Sequence, residues 1–360
     1  MAYITFDISK LKSNLEYLEN LFQNNNIKWA VVTKLLSGNK LFLNELLKFN
    51  IKQVADSRVS NLRAIKRIKP NIETIYIKPP AKSAIPGVVK YADISMNTEI
   101  KTIQLLSREA QKQNKTHKVI IMIELGDLRE GVMGDDFVDF YRDVFKLKGI
   151  EVAGIGSNLS CFSGVLPNQD KLIQLSLYKE LIEAKFNRKI NFVSGGSSVT
   201  INLILQKLLP RGINHFRIGE SIFLGTDVYN NSVIDRMKSN VFKLYAEIIE
   251  LIDKPMYPIG EIGTNVEGKS ATLDEDKIGQ SSNRAIIDIG LLDAEIEHME
   301  LSDKSLNFVG ASSDMIVIDL HHNKNNYKVG DLIEIKLDYM AILRVMNSRY
   351  IDKKIINEIN

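Results

Sequence analysis

The sequence predicts an α/β fold, with an N-terminal (β/α)8 barrel followed by a C-terminal all-β domain. Between about residues 28 and 225, eight short apolar runs alternate with amphipathic stretches. After about residue 226 the runs become strand-like and long amphipathic stretches become rare. The length of 360 residues is enough for a barrel and a second domain. The expected division is 1–228 for the barrel and 229–360 for the β domain, with an opening strand at 2–6 free to join the latter.

The eight apolar runs are 29–33, 53–55, 74–77, 92–95, 118–125, 152–156, 190–193 and 215–218. Between them, 41–48, 59–68, 99–113, 137–145, 170–184 and 198–208 read as helices, several with apolar residues at i, i+3, i+4 spacing. Fully apolar strands alternating with helices mean a parallel sheet buried on both faces. Eight such units fit a closed barrel better than an open doubly wound sheet, which would carry a Gly-rich first turn that is missing here. In the second domain, strands are expected at 243–251, 284–290, 307–320 and 332–345. Turns are expected at 253–255, 263–265 and 323–326.

The composition narrows the function. Its 47 basic and 44 acidic residues are spread evenly and form no basic block, so nucleic acid is not the expected partner. The single cysteine, Cys161, excludes an internal disulfide and fits a reducing cytoplasm. The start, Met-Ala-Tyr-Ile-Thr-Phe-Asp, has no basic region leading into an apolar stretch, and no run approaches about 18 residues. Neither a signal peptide nor a membrane span is expected, and no metal-binding set stands out.

Catalytic groups of such barrels sit at the C-terminal ends of the strands. The first strand ends at Thr33-Lys34. An amine at the end of a buried strand must be paired, neutral, covalently used or snorkelling into solvent. A covalently used lysine would be the Schiff-base anchor of pyridoxal phosphate. After the seventh run, Ser194-Gly195-Gly196-Ser197-Ser198 leads into a helix. This is either a plain turn with a capping serine or a phosphate cradle, and the loops after strands seven and eight are the usual phosphate site. Arg217 ends the eighth run, where a buried guanidinium needs an acceptor. Arg129, flanked by Asp127 and Glu130, is either a surface ion pair or a ligand group. Cys161 reads as a buried structural thiol rather than a nucleophile, since His117 and His215 both start strands, away from the catalytic end.

These segments resemble the alanine racemase-like family of fold type III pyridoxal phosphate enzymes, and within it the ornithine/alanine racemase branch. They are Val-Val-Thr-Lys34, Glu-Leu-Gly-Asp-Leu-Arg129-Glu-Gly, Gly-Ser-Asn158-Leu-Ser-Cys161, Ser-Gly-Gly-Ser197-Ser198, Arg217-Ile-Gly219-Glu220, Gly-Ala-Ser-Ser313-Asp314 and Leu-Asp-Tyr339. The resemblance implies that Lys34 holds the cofactor and acts as one catalytic base, and that Arg217 faces the pyridine nitrogen. It implies that Ser197, Ser198, Gly219, Glu220 and Tyr339 contact the phosphate, and that Arg129 lies near the substrate carboxylate. It implies that Ser313 and Asp314 reach the site of the other subunit in a head-to-tail homodimer.

Four departures accompany it. A lysine carbamylated in alanine racemases falls at Met122, and a histidine beside the pyridine-facing arginine falls at Asn158, leaving Asn158 in the cofactor shell. An aromatic phosphate contact falls at Gly38, and the second catalytic tyrosine has no counterpart in 285–290. Asp288 and Cys161 are the remaining candidates for the second base. The expected activity is racemisation of an amino acid, ornithine ahead of alanine or lysine. A decarboxylase of the same plan, or a non-catalytic cofactor-binding protein, are the alternatives.

Overall fold

The computed structural model describes residues 1–264, 266, 268, 270 and 274–357. The chain divides into two compact units, Lys10–Ser239 and the pair of segments Met1–Ser9 and Asn240–Asn360.

After β1 (Tyr3–Asp7) and α1 (Ile8–Asn24), the first unit carries β2 (Lys28–Val32), β3 (Gln53–Asp56), β4 (Glu73–Tyr76), β5 (Ile94–Asn97), β6 (His117–Met122) and β7 (Ile150–Gly156). The barrel then continues through β8 (Phe192–Ser194), β9 (Gly196–Ser197) and β10 (His215–Ile218). All neighbouring pairs along this path are parallel, in the order β8-β7-β6-β5-β4-β3-β2-β10-β9. β8 and β9 are two halves of one strand broken at Gly195; the first half pairs with β7 and the second with β10, which brings the sheet round to near closure. Alternate residues of successive strands, Ala30, Val32, Ala55, Ile75, Ile94, Met96, Ile120 and Met122, form one buried cluster, so the interior is packed.

The intervening helices are α2 (Lys40–Leu46), α3 (Val59–Ile68), α4 (Ile85–Tyr91), α5 (Ile100–Lys112), α6 (Phe137–Val144), α7 (Gln169–Phe186), α8 (Ile201–Leu205) and α9 (Glu220–Leu224). Two of them, α4 and α9, were not expected from the sequence. Each covers only two turns or less, too short to show a helical period.

A small hairpin, β11 (Thr226–Asp227) with β12 (Ser232–Val233), ends the barrel unit. The second unit is a sheet in the order β15 (Met299–Leu301), β18 (Leu332–Leu337), β13 (Phe242–Pro255), β14 (Ser281–Ile287), β17 (Ile316–Asp319), β16 (Asn307–Ala311). β1 joins it, antiparallel to β13 and parallel to β19 (Asp352–Ile356).

Three details of this unit differ from expectation. The run 307–320 is a hairpin, because Ser312-Ser313-Asp314 turns the chain and Ser312 N–H donates to Met315 O at 2.8 Å. The run 332–345 is a strand and then α10 (Tyr339–Asn347). Asp338 caps that helix by accepting from Met340 N–H (2.8 Å) and Ala341 N–H (2.9 Å), and Ala341, Ile342, Val345 and Met346 bury a helical face. The turn expected at 253–255 is the end of β13, where a strand-end proline is tolerated. The turn expected at 263–265 includes Asn265, which lies outside the described residues.

Candidate active site

Lys34 follows β2 directly and opens a 3-10 turn, Lys34–Leu36, with its side chain exposed. That turn is braced from below. Thr33 Oγ1 donates to Asp56 Oδ2 at 2.8 Å, and Asp56 Oδ1 accepts from Arg58 N–H (2.9 Å) and Asn61 Nδ2 (3.1 Å). Burial pushes the Asp56 carboxyl above its ordinary range, and these donors partly offset the rise. Gly38 takes a φ of +71°, and a Cβ there would lie 2.6 Å from Asn61 Oδ1, so the chain leaving Lys34 runs tight against the same group.

β10 lies beside β2, with Ile218 opposite Val31 and Arg217 opposite Ala30. Arg217 is buried, 6% exposed, and its terminal donors are fully used. Nη1 donates to Ser194 O (2.8 Å) and Ser194 Oγ (2.5 Å); Nη2 donates to Ser157 O (2.9 Å) and Asn158 Oδ1 (2.6 Å). Of its five N–H donors, only Nε–H has no acceptor among the described residues. Burial pulls this guanidinium down to about 10, while Cys161 and Glu130 favour its charge.

Behind Arg217 runs a directional chain of hydrogen bonds. Ser194 Oγ meets His215 Nδ1 at 2.7 Å, His215 Nε2 meets Gln53 Oε1 at 2.7 Å, and Gln53 Nε2 donates to Glu73 Oε2 at 2.6 Å. Because Gln53 donates to a carboxylate, its oxygen faces the histidine. His215 therefore carries its proton on Nε2 and accepts from Ser194 on Nδ1.

The turns at Ser197-Ser198 and Gly219-Glu220 stand side by side. Arg217 pairs with Ser197 across the β9–β10 ladder, and Ser198 Oγ accepts from Ser221 N–H at 3.3 Å. A Cβ on Gly219 would lie 3.1 Å from Val32 Cβ, which seats this turn against the strand that leads to Lys34. Ser198 is buried, while Ser197, Gly219 and Glu220 are partly exposed.

On the β6 side, Arg129 pairs with Glu130 through Nε and through Nη2 (2.7 Å), and Asn158 Nδ2 donates to the same carboxylate. The Glu130 bond raises the proton affinity of Arg129. Asp127 does not join this pair. It is buried and accepts from Cys161 N–H (3.1 Å), Phe162 N–H (2.9 Å) and Val165 N–H (3.2 Å), which folds the loop after β7. Cys161 is exposed, contrary to the buried thiol expected, because it lies five residues past β7 in a surface connection. A thiolate there would favour the charged forms of both Arg129 and Arg217.

The structure thus brings Arg217, Asn158, Arg129 and Cys161 into one cluster beside the two turns and the Lys34 strand. Sequence reasoning missed Ser194 and Glu130 as parts of it. By spacing alone Glu130 reads only as the surface partner of Arg129, and nothing in the linear pattern ties it to Asn158. Met122 is fully buried in the barrel core. The remaining candidates belong to the sheet unit. Asp288 follows β14 and donates its N–H to Glu247 O at 3.1 Å. Ser313 and Asp314 are exposed in the β16–β17 turn, joined by a 3.0 Å bond from Ser313 Oγ to Asp314 Oδ1. Tyr339 is partly buried as the first residue of α10. No cluster able to hold a metal ion occurs among the described residues, and no helix of the described residues is long and apolar enough to cross a membrane.

The family model described as "Alanine racemase, N-terminal domain" matches residues 6–227. The chain is 38% identical to an ornithine racemase from Acetoanaerobium sticklandii, covering 98% of this chain and 99% of the relative. It is 30% identical to a lysine racemase from Thermotoga maritima, covering 97% of each. Among solved structures, an alanine racemase from Clostridium difficile 630 superposes with a TM-score of 0.76 at 16% identity, over 99% of this chain and 96% of that one. An alanine racemase from Bartonella henselae with covalently bound pyridoxal phosphate superposes with a TM-score of 0.70 at 17% identity, over 99% of both. With a barrel matched across residues 6–227 and relatives matched end to end, the chain belongs to the alanine racemase-like family.

Proposed function

We propose that this protein is a pyridoxal phosphate-dependent amino-acid racemase that interconverts L- and D-ornithine. The single observation that carries the reading is Arg217. Its buried guanidinium spends four donors on the barrel and, among the described residues, keeps Nε–H uncommitted, which fits an aromatic ring nitrogen as acceptor. The donor set agrees with that group: an exposed lysine at a strand end, with hydroxyls and turn N–H groups on the neighbouring strands. Ornithine comes first because the 38% identical relative matched end to end is an ornithine racemase; lysine is the second substrate on the strength of the 30% relative.

Bound pyridoxal phosphate supplies the electron sink for the substrate α-carbon. The chain supplies the rest. Lys34 would hold the cofactor and carry the proton on one face. Arg217, still charged although burial pulls it down to about 10, would sit against the ring nitrogen and disfavour its protonation. Ser197, Ser198, Gly219 and Glu220 would bind the phosphate, and Asn158 keeps Arg217 in place; the family resemblance adds Tyr339 as a phosphate contact. Arg129 takes the substrate carboxylate. Racemisation needs a proton-carrying group on each face. Cys161, exposed on the loop after β7 that also carries Asn158, is the candidate for the other face, and Asp288 is the second candidate.

Ser313 and Asp314 complete the partner's site in a head-to-tail homodimer, a role their exposed turn allows. A single thiol fits the cytoplasm. Incubation with L-ornithine, L-lysine and L-alanine, followed by chirally resolved chromatography, tests the substrate. Conversion is expected to be fastest with ornithine, and activity on alanine alone would contradict the reading.

A further inference from the structure

We propose that Glu130 is a positioning residue that couples the two site arginines, holding Arg129 directly and Arg217 through Asn158. The inference rests on the racemase reading above and adds a residue to it. An ion pair between sequence neighbours at a surface is ordinarily worth little. This one differs in three ways. The Glu130 side chain is only 13% exposed, against 39% for Arg129. The pairing is two-pronged, with Nε on Oε2 and Nη2 on Oε1. A third donor, Asn158 Nδ2, reaches the same carboxylate from the loop after β7.

The other carboxylate of this segment closest to Arg129 is already committed. Asp127, the nearest in sequence, spends both oxygens on the backbone N–H groups of Cys161, Phe162 and Val165. Among the described residues Glu130 is therefore the anion that fixes where Arg129 points.

The link to Arg217 follows from donor and acceptor chemistry. A guanidinium has only donors and a carboxylate only acceptors. An amide between them has one workable orientation, oxygen toward Arg217 and nitrogen toward Glu130. Both contacts are present, the first at 2.6 Å. Glu130 thereby holds the acceptor that keeps Arg217 Nη2, and with it the orientation of the Nε–H, in place. The same carboxylate favours the charged form of both arginines. One residue thus sets the group that binds the substrate carboxylate and steadies the group that faces the cofactor ring.

The test uses Glu130→Ala and Glu130→Gln in the full-length holoenzyme. Cofactor affinity and the pH titration of the visible absorbance band are read beside KM and kcat for L-ornithine. Both variants are expected to keep the Lys34-dependent band and to raise KM roughly tenfold or more, with a smaller fall in kcat. Glu130→Ala is expected to shift the pH titration of the band. Glu130→Gln, which still offers Asn158 an acceptor, should shift it less; it also carries the test if Glu130→Ala does not fold. Variants that match the wild type in KM, kcat and band titration overturn this inference alone. A wild-type protein with neither band nor activity overturns it together with the racemase reading.

Discussion

Arg217 Nη2 donates to Asn158 Oδ1 across 2.6 Å, joining the end of β10 to the loop after β7. The bond closes a fan of four acceptors around a buried guanidinium and leaves Nε–H as the one donor without an acceptor among the described residues. Asn158→Ala is expected to lower stability by about 1–3 kcal/mol, the cost of leaving a buried donor short of a partner. Urea unfolding of the variant checks this, and an unchanged midpoint would contradict it.

Below that fan, His215 is fully enclosed and held neutral; burial lowers it to about 3, and His117, bonded to Ser95 Oγ at 2.8 Å, to about 4. Both values lie below the ordinary 6.5. The unfolded chain therefore takes up these protons first, so stability is intact above pH 6.5 and falls as the pH drops toward 3–4. Each histidine adds a slope of up to about 1.4 kcal/mol per pH unit inside its window. Denaturant midpoints between pH 7 and pH 4 measure it. His215→Gln should flatten the dependence.

Asp127 gathers three backbone N–H groups of the loop that carries Cys161. Asp127→Ala leaves those donors without their acceptor, with an expected loss of about 1–3 kcal/mol. Limited proteolysis followed by mass spectrometry should show new cleavage within residues 157–168. Protection equal to wild type would contradict this account of the loop.

For the proton opposite Lys34, Cys161→Ala is expected to slow racemisation by roughly 10²–10⁴-fold, the usual contribution of a positioned acid or base. Exchange of the α-proton with deuterated water should survive for one enantiomer only. Full racemisation by Cys161→Ala transfers the role to Asp288, for which Asp288→Asn is then the decisive variant.

Gly196 sits where a Cβ would enter the Phe216 ring at 2.1 Å. Gly196→Ala is expected to destabilise the barrel by about 1–3 kcal/mol through overpacking. Thermal unfolding measures it.

Much of this molecule is written in local pattern. Runs such as 215–218 and helices such as Val59–Ile68 carry their period openly, and Lys34, Arg217 and the serine-glycine turn announce themselves as polar groups at strand ends. What could not be read depends on pairing at a distance. Glu130 and Asn158 are 28 residues apart, and Gln53 and His215 are 162 apart, so neither bond leaves a trace in spacing. Cys161 looked apolar enough to be buried, yet the loop geometry set by Asp127 decides its exposure. In the sheet unit, Asp338 converts an apolar run into a helix by one cap, an effect that composition alone does not reveal.

The most direct test is the visible absorbance of the purified protein after incubation with pyridoxal phosphate and desalting, compared with Lys34→Ala. The account predicts a retained band in the wild type that responds to L-ornithine, and its loss in the variant. A wild-type protein that emerges colourless, or a Lys34→Ala protein that keeps the same band, would contradict it.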